Sequence, residues 1–142
     1  MKENPMRASI LCSLLLVACN TSNTVVPASV GGGPGQPGFQ QVITNGWLNY
    51  KANVTDVRED TVSGDMKRVQ VAVYSDQLNS QNFSYRFEWF DANGMAIQGA
   101  GQAWQSRQIK PKETILLTSV APSPRATQWQ LKLLDTNHPL DQ

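Results

Sequence analysis

Apolar and polar side chains alternate without a break in the middle of the chain. Phe83, Tyr85, Phe87 and Trp89 hold one phase, and Ser84, Arg86 and Glu88 hold the other. A β-strand sends successive side chains to opposite faces, so this pattern predicts a central strand with one aromatic face on a core. Asp91, Asn93 and Gly94 then supply side-chain bonding to the backbone and a permissive φ, which predicts a reversal into a short strand at 95–97. Val69, Val71 and Val73 alternate with Gln70, Ala72 and Tyr74, predicting a second core strand rich in β-branched residues.

Other strands are expected at 43–50, 54–58, 104–109, 114–118 and 128–134. Trp47 and Leu48 are adjacent, which leaves the register of 43–50 open, and 54–58 reads as a strand or as part of an irregular edge. The 104–109 segment is polar on both faces and belongs near an edge, whereas Trp129, Leu131 and Leu133 face inward. Between the strands, 76–82 is a polar turn whose Leu78 is expected to plug the core. Gly99-Ala100-Gly101 breaks the chain, Pro111 disfavours helix at Lys110, and Pro122 and Pro124 interrupt it again. No window from Gln41 onward holds an apolar period of 3.6 residues over three turns. The expected fold is all-β: an immunoglobulin-like sandwich of about seven strands in two antiparallel sheets, with a small open barrel as the competing arrangement.

The start of the chain has a different pattern. Lys2 and Arg7, with Glu3, precede an apolar run from Ala8 to Val17 broken only by Ser9 and Ser13. That order of charge and hydropathy is that of a secretory signal. The run is about half of the roughly 20 apolar residues that cross a bilayer core. Met6 before Arg7 offers a second, shorter start. The run ends in Leu16-Val17-Ala18-Cys19, which resembles the lipobox of bacterial lipoproteins. The resemblance implies cleavage after residue 18, a diacylglyceryl group on the Cys19 sulfur and an acyl group on its amine. Asn20 in the second mature position resembles the signal for outer-membrane sorting, so the expected location is the periplasmic face of the outer membrane. One acyl chain holds reversibly and two or more hold stably, so the bilayer would be a partner through acylated Cys19. The alternative is a secreted protein cut nearby with Cys19 as a free thiol.

Residues 19–41 combine Asn-Thr-Ser-Asn-Thr, Val25-Val26-Pro27 and the stretch Gly31-Gly32-Gly33-Pro34-Gly35-Gln36-Pro37-Gly38, and they read as a flexible tether unable to pair in a sheet. The glycine cluster lacks the Gly-Lys-Ser/Thr ending of a phosphate loop. Residues 42–135 form one domain and 136–142 a tail. Cys12 lies in the signal and Cys19 is taken by lipid, leaving the domain no cysteine for a disulfide, a zinc site or a thiol nucleophile. The whole chain carries a net charge of +1. Removing residues 1–18 takes away Lys2, Arg7 and Glu3 and leaves ten basic and ten acidic side chains. That balance argues against nucleic acid or an acidic polymer as a partner.

Arg86-Phe87-Glu88-Trp89-Phe90-Asp91-Ala92-Asn93-Gly94, followed by Trp104 and the turn Ile109-Lys110-Pro111-Lys112-Glu113, resembles the YcfL family of small Gram-negative lipoproteins over roughly 54–134. The resemblance implies an immunoglobulin-like sandwich and an envelope location. It also implies a genetic neighbourhood that includes a lipoprotein activator of peptidoglycan synthesis. It transfers no catalytic or binding residue. Phe90 stands where a Tyr is common, and the glycine-rich stretch is longer than in the family.

Candidate chemistry is sparse. His138, the single histidine, lies beside Pro139 in the tail, and no serine sits in a recognisable nucleophile setting. Asp56, Glu59, Asp60 and Asp65 concentrate acid beside Arg58, Lys67 and Arg68. They are read as a solvated loop rather than a glycosidase pair or a calcium site, whose 6 to 8 oxygens and EF-hand spacing they do not match. No cofactor or metal is expected. Trp47, Tyr50, Trp104 and Arg107 are the candidate interface residues, since aromatics and Arg anchor desolvated contacts. The expected function is that of a non-catalytic accessory or interaction module meeting an envelope protein or peptidoglycan. A glycan-binding module and an envelope-polymer hydrolase are the alternatives.

Overall fold

The computed structural model describes residues 22–28, 38–99 and 102–136. The signal segment with Cys12 and Cys19, the 29–37 stretch and the end of the tail with His138 lie outside the described residues. Among those described, nine strands build two antiparallel sheets. The strands are β1 (Asn23–Pro27), β2 (Phe39–Val42), β3 (Asn53–Val62), β4 (Met66–Tyr74), β5 (Gln81–Phe90), β6 (Ala96–Ile97), β7 (Gln105–Ile109), β8 (Thr114–Val120) and β9 (Gln128–Asp135), with one six-residue helix, α1 (Gly46–Lys51). The larger sheet runs β2-β1-β9-β5, with β6 and β7 sharing the far edge of β5. The smaller is β3-β4-β8. Each sheet keeps its own edges, which makes the molecule a sandwich rather than a closed barrel.

The expected central strand is β5, and its aromatic phase is the core. Phe83, Phe87 and Trp89 are buried, and Trp89 is in register with Trp129 of β9. The rings of Phe83, Tyr85, Phe87 and Trp129 follow one another with centroids 6.2–6.4 Å apart. Both buried indoles reach across to the other sheet. Trp89 Nε1 donates to Ser119 Oγ on β8 at 3.2 Å, and Trp129 Nε1 donates to Glu59 Oε1 on β3 at 2.5 Å. A buried indole N–H needs a partner, and these bonds tie the sheets while satisfying it. Val69, Val71 and Val73 of β4, with Leu117 of β8, close the core from the smaller sheet.

The β5–β6 reversal forms as expected. Asp91 Oδ1 accepts from the amides of Asn93 and Met95, both at 2.9 Å, and Gly94 takes φ 79°, a left-handed value that glycine meets without strain.

Four expectations are corrected. The segment 43–50 does not form a strand: β2 ends at Val42, and Asn45 caps a helix by accepting from Leu48 N through Oδ1 at 3.0 Å. The adjacency of Trp47 and Leu48 is then explained, because Leu48 and Lys51 turn inward at i and i+3 while Trp47 and Tyr50 turn outward. Leu78 does not plug the core but is 82% exposed. Among the described residues the strand count is nine rather than about seven.

The fourth correction concerns the expected tether. Asn23–Pro27, within 19–41, is a strand, Phe39–Val42 is a second that begins there, and β1 lies between β2 and β9. Asn23 and Val25 face inward and are buried. The Asn23 side chain is a latch: Oδ1 accepts from Thr44 N at 3.0 Å and Asn45 N at 2.8 Å, and Nδ2 donates to Asn45 O at 2.9 Å. Pro27, which has no amide hydrogen, falls at the last position of the strand, where the pairing ends.

Asn23→Ala removes the three bonds of a buried side chain, so it should destabilise the fold by about 1–3 kcal/mol. Urea unfolding of the variant checks this, and an unchanged midpoint would contradict the latch.

Candidate functional site

Strand register places one set of segment ends together. Asn23 is opposite Leu133 near the end of β9, Asp135 is opposite Phe83 at the start of β5, and Asn53 is opposite Tyr74 at the end of β4, which in turn is opposite Thr114. Loop bonds complete the assembly. Asp76 N donates to Tyr50 O at 3.1 Å, Ser75 N donates to Glu113 O at 3.0 Å, and Thr44 Oγ1 donates to Ser22 O at 2.8 Å. One end of the sandwich therefore carries α1, the β4–β5 loop, the β7–β8 turn and the point where the chain enters.

A buried ion pair fixes α1 at this end. Lys51 Nζ donates to Asp135 Oδ1 at 3.1 Å and Oδ2 at 3.0 Å, with both side chains almost wholly enclosed. The same ammonium lies 5.9 Å from the centroid of the Trp47 ring, so the pair also positions an exposed aromatic. Sequence reading missed both charges. Lys51 follows the interface candidate Tyr50 by one, but only the helix turns it inward, and Asp135 continues the inward phase of Trp129, Leu131 and Leu133.

The four interface candidates do not form one patch. Trp47 and Tyr50 stand together on α1, and Arg107 is exposed on edge strand β7. Trp104 precedes β7, and its ring lies under the guanidinium of Arg86 at 4.8 Å. That stack adjoins a polar cluster on the outer face of the larger sheet, where Glu88 pairs with Arg86 and with Lys132 at 3.3 Å and accepts from Gln130 Nε2. Partial burial raises the Glu88 carboxyl, and the bonds from Gln130 and Lys132 with the charges of Lys132 and Arg86 outweigh that, holding it below the ordinary range.

The acidic concentration is not a loop but the β3–β4 hairpin, and Asp56, Glu59 and Asp60 are tied to bases. Arg58 Nε donates to Asp56 at 2.9 Å, Lys67 Nζ donates to Glu59 at 3.0 Å, and Arg68 pairs with Asp60. The hydrogen bond from Arg68 is the main influence lowering the Asp60 carboxyl. Asp65 sits in the turn with a positive φ. Glu59, Asp60, Arg58 and Arg68 border an open depression of about 490 Å³. Among the described residues no three histidine, cysteine or acidic side chains group as metal ligands. No helix of the described residues is long and apolar enough to cross a membrane.

A family model described as "Protein of unknown function (DUF1425)" matches residues 40–135, from the second residue of β2 to the last of β9. The chain belongs to the DUF1425 family. Strand β1 lies outside the matched region. A solved structure of a DUF1425 family member from Shewanella sp. pv-4 is 22% identical, with a TM-score of 0.52, covering 77% of this chain and 96% of that one. The crystal structure of Campylobacter jejuni cj0090 is 17% identical with a TM-score of 0.51, covering 58% of this chain and 85% of that one. At these identities the likeness is one of fold. No curated protein matches the chain significantly.

Lys51→Met leaves the Asp135 carboxylate enclosed without its ammonium and should cost about 3–5 kcal/mol, while Lys51→Met with Asp135→Leu should recover much of that loss. Denaturant melts of both variants check it, and a single variant as stable as the parent would contradict the enclosed pair. Because folding lowers the Glu88 carboxyl, its contribution to stability is present above the ordinary carboxylate range and is lost as pH falls through the lowered folded value. Glu88→Gln should therefore lose less stability on acidification than the parent; parallel curves would refute this.

Proposed function

We propose that the chain is a lipid-anchored lipoprotein of the outer membrane, with residues 1–18 removed and Cys19 acylated. The DUF1425 domain then serves at the periplasmic face as a non-catalytic accessory module of the envelope. The observation that carries this reading is Leu16-Val17-Ala18-Cys19 at the close of a basic-then-apolar segment, directly before polar residues. The likeness to the YcfL lipoproteins agrees with it.

The domain's chemistry supports an interaction role. Its acidic hairpin residues Asp56, Glu59 and Asp60 are each bonded to a base, and the depression beside them is open rather than enclosed. A glycoside hydrolase requires one carboxyl held protonated beside a second that is free to attack or to activate water. The hydrogen bond from Arg68 lowers the Asp60 carboxyl, the opposite of what a general acid needs, and this argues against hydrolysis of an envelope polymer at this hairpin.

Cys19→Ser should abolish acylation and leave the protein as an uncleaved precursor or a soluble product. Intact mass and detergent partitioning of the expressed protein read this directly. An unchanged mass difference and unchanged partitioning in the variant would overturn the anchoring.

A further inference from the structure

The end of the sandwich at which the chain enters presents apolar side chains from separate segments. Val42 closes β2, Ile43 follows it, Trp47 and Tyr50 stand on the outer side of α1, and Leu78 tops the loop bonded to α1 through Asp76 and Tyr50. Trp47 is 54% and Tyr50 59% exposed. Exposed apolar groups gathered in one region mark an interaction surface rather than ordinary scatter.

Chain length says what covers it. From Cys19 to Asn23 there are four Cα steps, which span at most about 14 Å when fully extended. The headgroup layer on each side of a bilayer is roughly 5–8 Å deep. Asn23 is latched to Thr44 and Asn45, immediately before α1. A lipid on Cys19 therefore leaves this end of the domain almost no room to leave the surface. Were the chain unpaired up to Phe39, the same lipid would sit on a leash of twenty steps, up to about 70 Å, and would impose no orientation.

The geometry points to this end as a bilayer-docking surface, with Trp47 and Tyr50 set into the headgroup layer. The inference rests on the acylation of Cys19 proposed above. The residue types fit, because Trp and Tyr have an apolar body and a polar tip and concentrate where membrane meets water. The charge pattern fits as well. No charged residue occurs from Asn20 to Tyr50, so neither the leash nor the outer side of α1 brings a charge to be desolvated or repelled, and the exposed Asp76 and Lys112 of the neighbouring loop and turn neutralise each other as an ion pair. The buried Lys51–Asp135 pair holds α1 to β9, so the two rings are presented from a fixed base. Trp104 and Met95 lie away from this end, beside Arg86 and in the β5–β6 turn, and remain in water.

The test uses the native lipidated protein in vesicles of phosphatidylethanolamine and phosphatidylglycerol brominated near the glycerol end of the acyl chains. The expected result is quenching of tryptophan emission by the brominated lipid, largely lost in Trp47→Phe and retained in Trp104→Phe. Both substitutions are at exposed positions, and circular dichroism confirms that the variants fold. Equal quenching in the parent and in Trp47→Phe, or loss only in Trp104→Phe, would overturn the docking. So would a Trp47 that is shielded from a water-soluble quencher yet not reached by the lipid bromines, which would assign the surface to a protein or to a second copy. Intact mass separates the two claims. With the lipid present and no quenching at Trp47, docking alone fails; with no lipid on Cys19, the anchoring fails and takes the docking with it.

Discussion

Strand β9 is paired on both sides, and most of the molecule's order follows from that. On one side it meets β5 along its whole length, from Phe83 opposite Asp135 to Phe90 opposite Gln128. On the other it meets β1, a strand drawn from the N-terminal arm beyond the region that defines the family. An open sheet edge is a template for pairing with another chain. Here β1 covers the β9 edge, and β2 then covers β1. The cost of ordering a polar arm is offset by the burial of Val25 and by the three bonds of Asn23.

This pairing turns the N-terminal arm into an element of position. The arm reads as a linker because its glycines and prolines dominate any window that contains them. Strand β1 within it is only five residues long, its inward phase is shared between an asparagine and a valine, and its partner on the core side of the sheet, β9, is more than 100 residues away. None of those features is visible as periodicity. The aromatic ladder of β5, the valines of β4 and the inward leucines of β9 were legible because each strand has one wet face and one dry face. In β3 that alternation is broken by a bulge between Val54 and Asp56, so Val54 and Val57, three residues apart, both point inward. The helix was hidden by its length, since six residues cannot display a period of 3.6 over several turns, and its cap at Asn45 was the local signal that it left.

Of the candidate site, the residue types were legible and their grouping was not. Trp47 and Tyr50 are brought together by a single helical turn, whereas Trp104 is paired with Arg86, a residue that the strand pattern assigned simply to a polar face. The enclosed Lys51–Asp135 pair joins residues 84 positions apart in the chain. It was unreadable because burial of a charge depends on which face a short helix turns inward. In the β3–β4 hairpin, charges that read as a solvated loop neutralise one another in cross-strand and neighbouring pairs.

Residue-resolved hydrogen exchange of the full chain tests the central claim most directly. If the N-terminal arm is a true strand of the larger sheet, the amides of β1 that pair with β9 exchange slowly, within the same protected unit as Leu131 and Leu133. Exchange of the β1 amides at the rate of an unstructured peptide, beside a protected β9, would show that the arm is free and that nothing in the fold holds the chain's entry point against the domain.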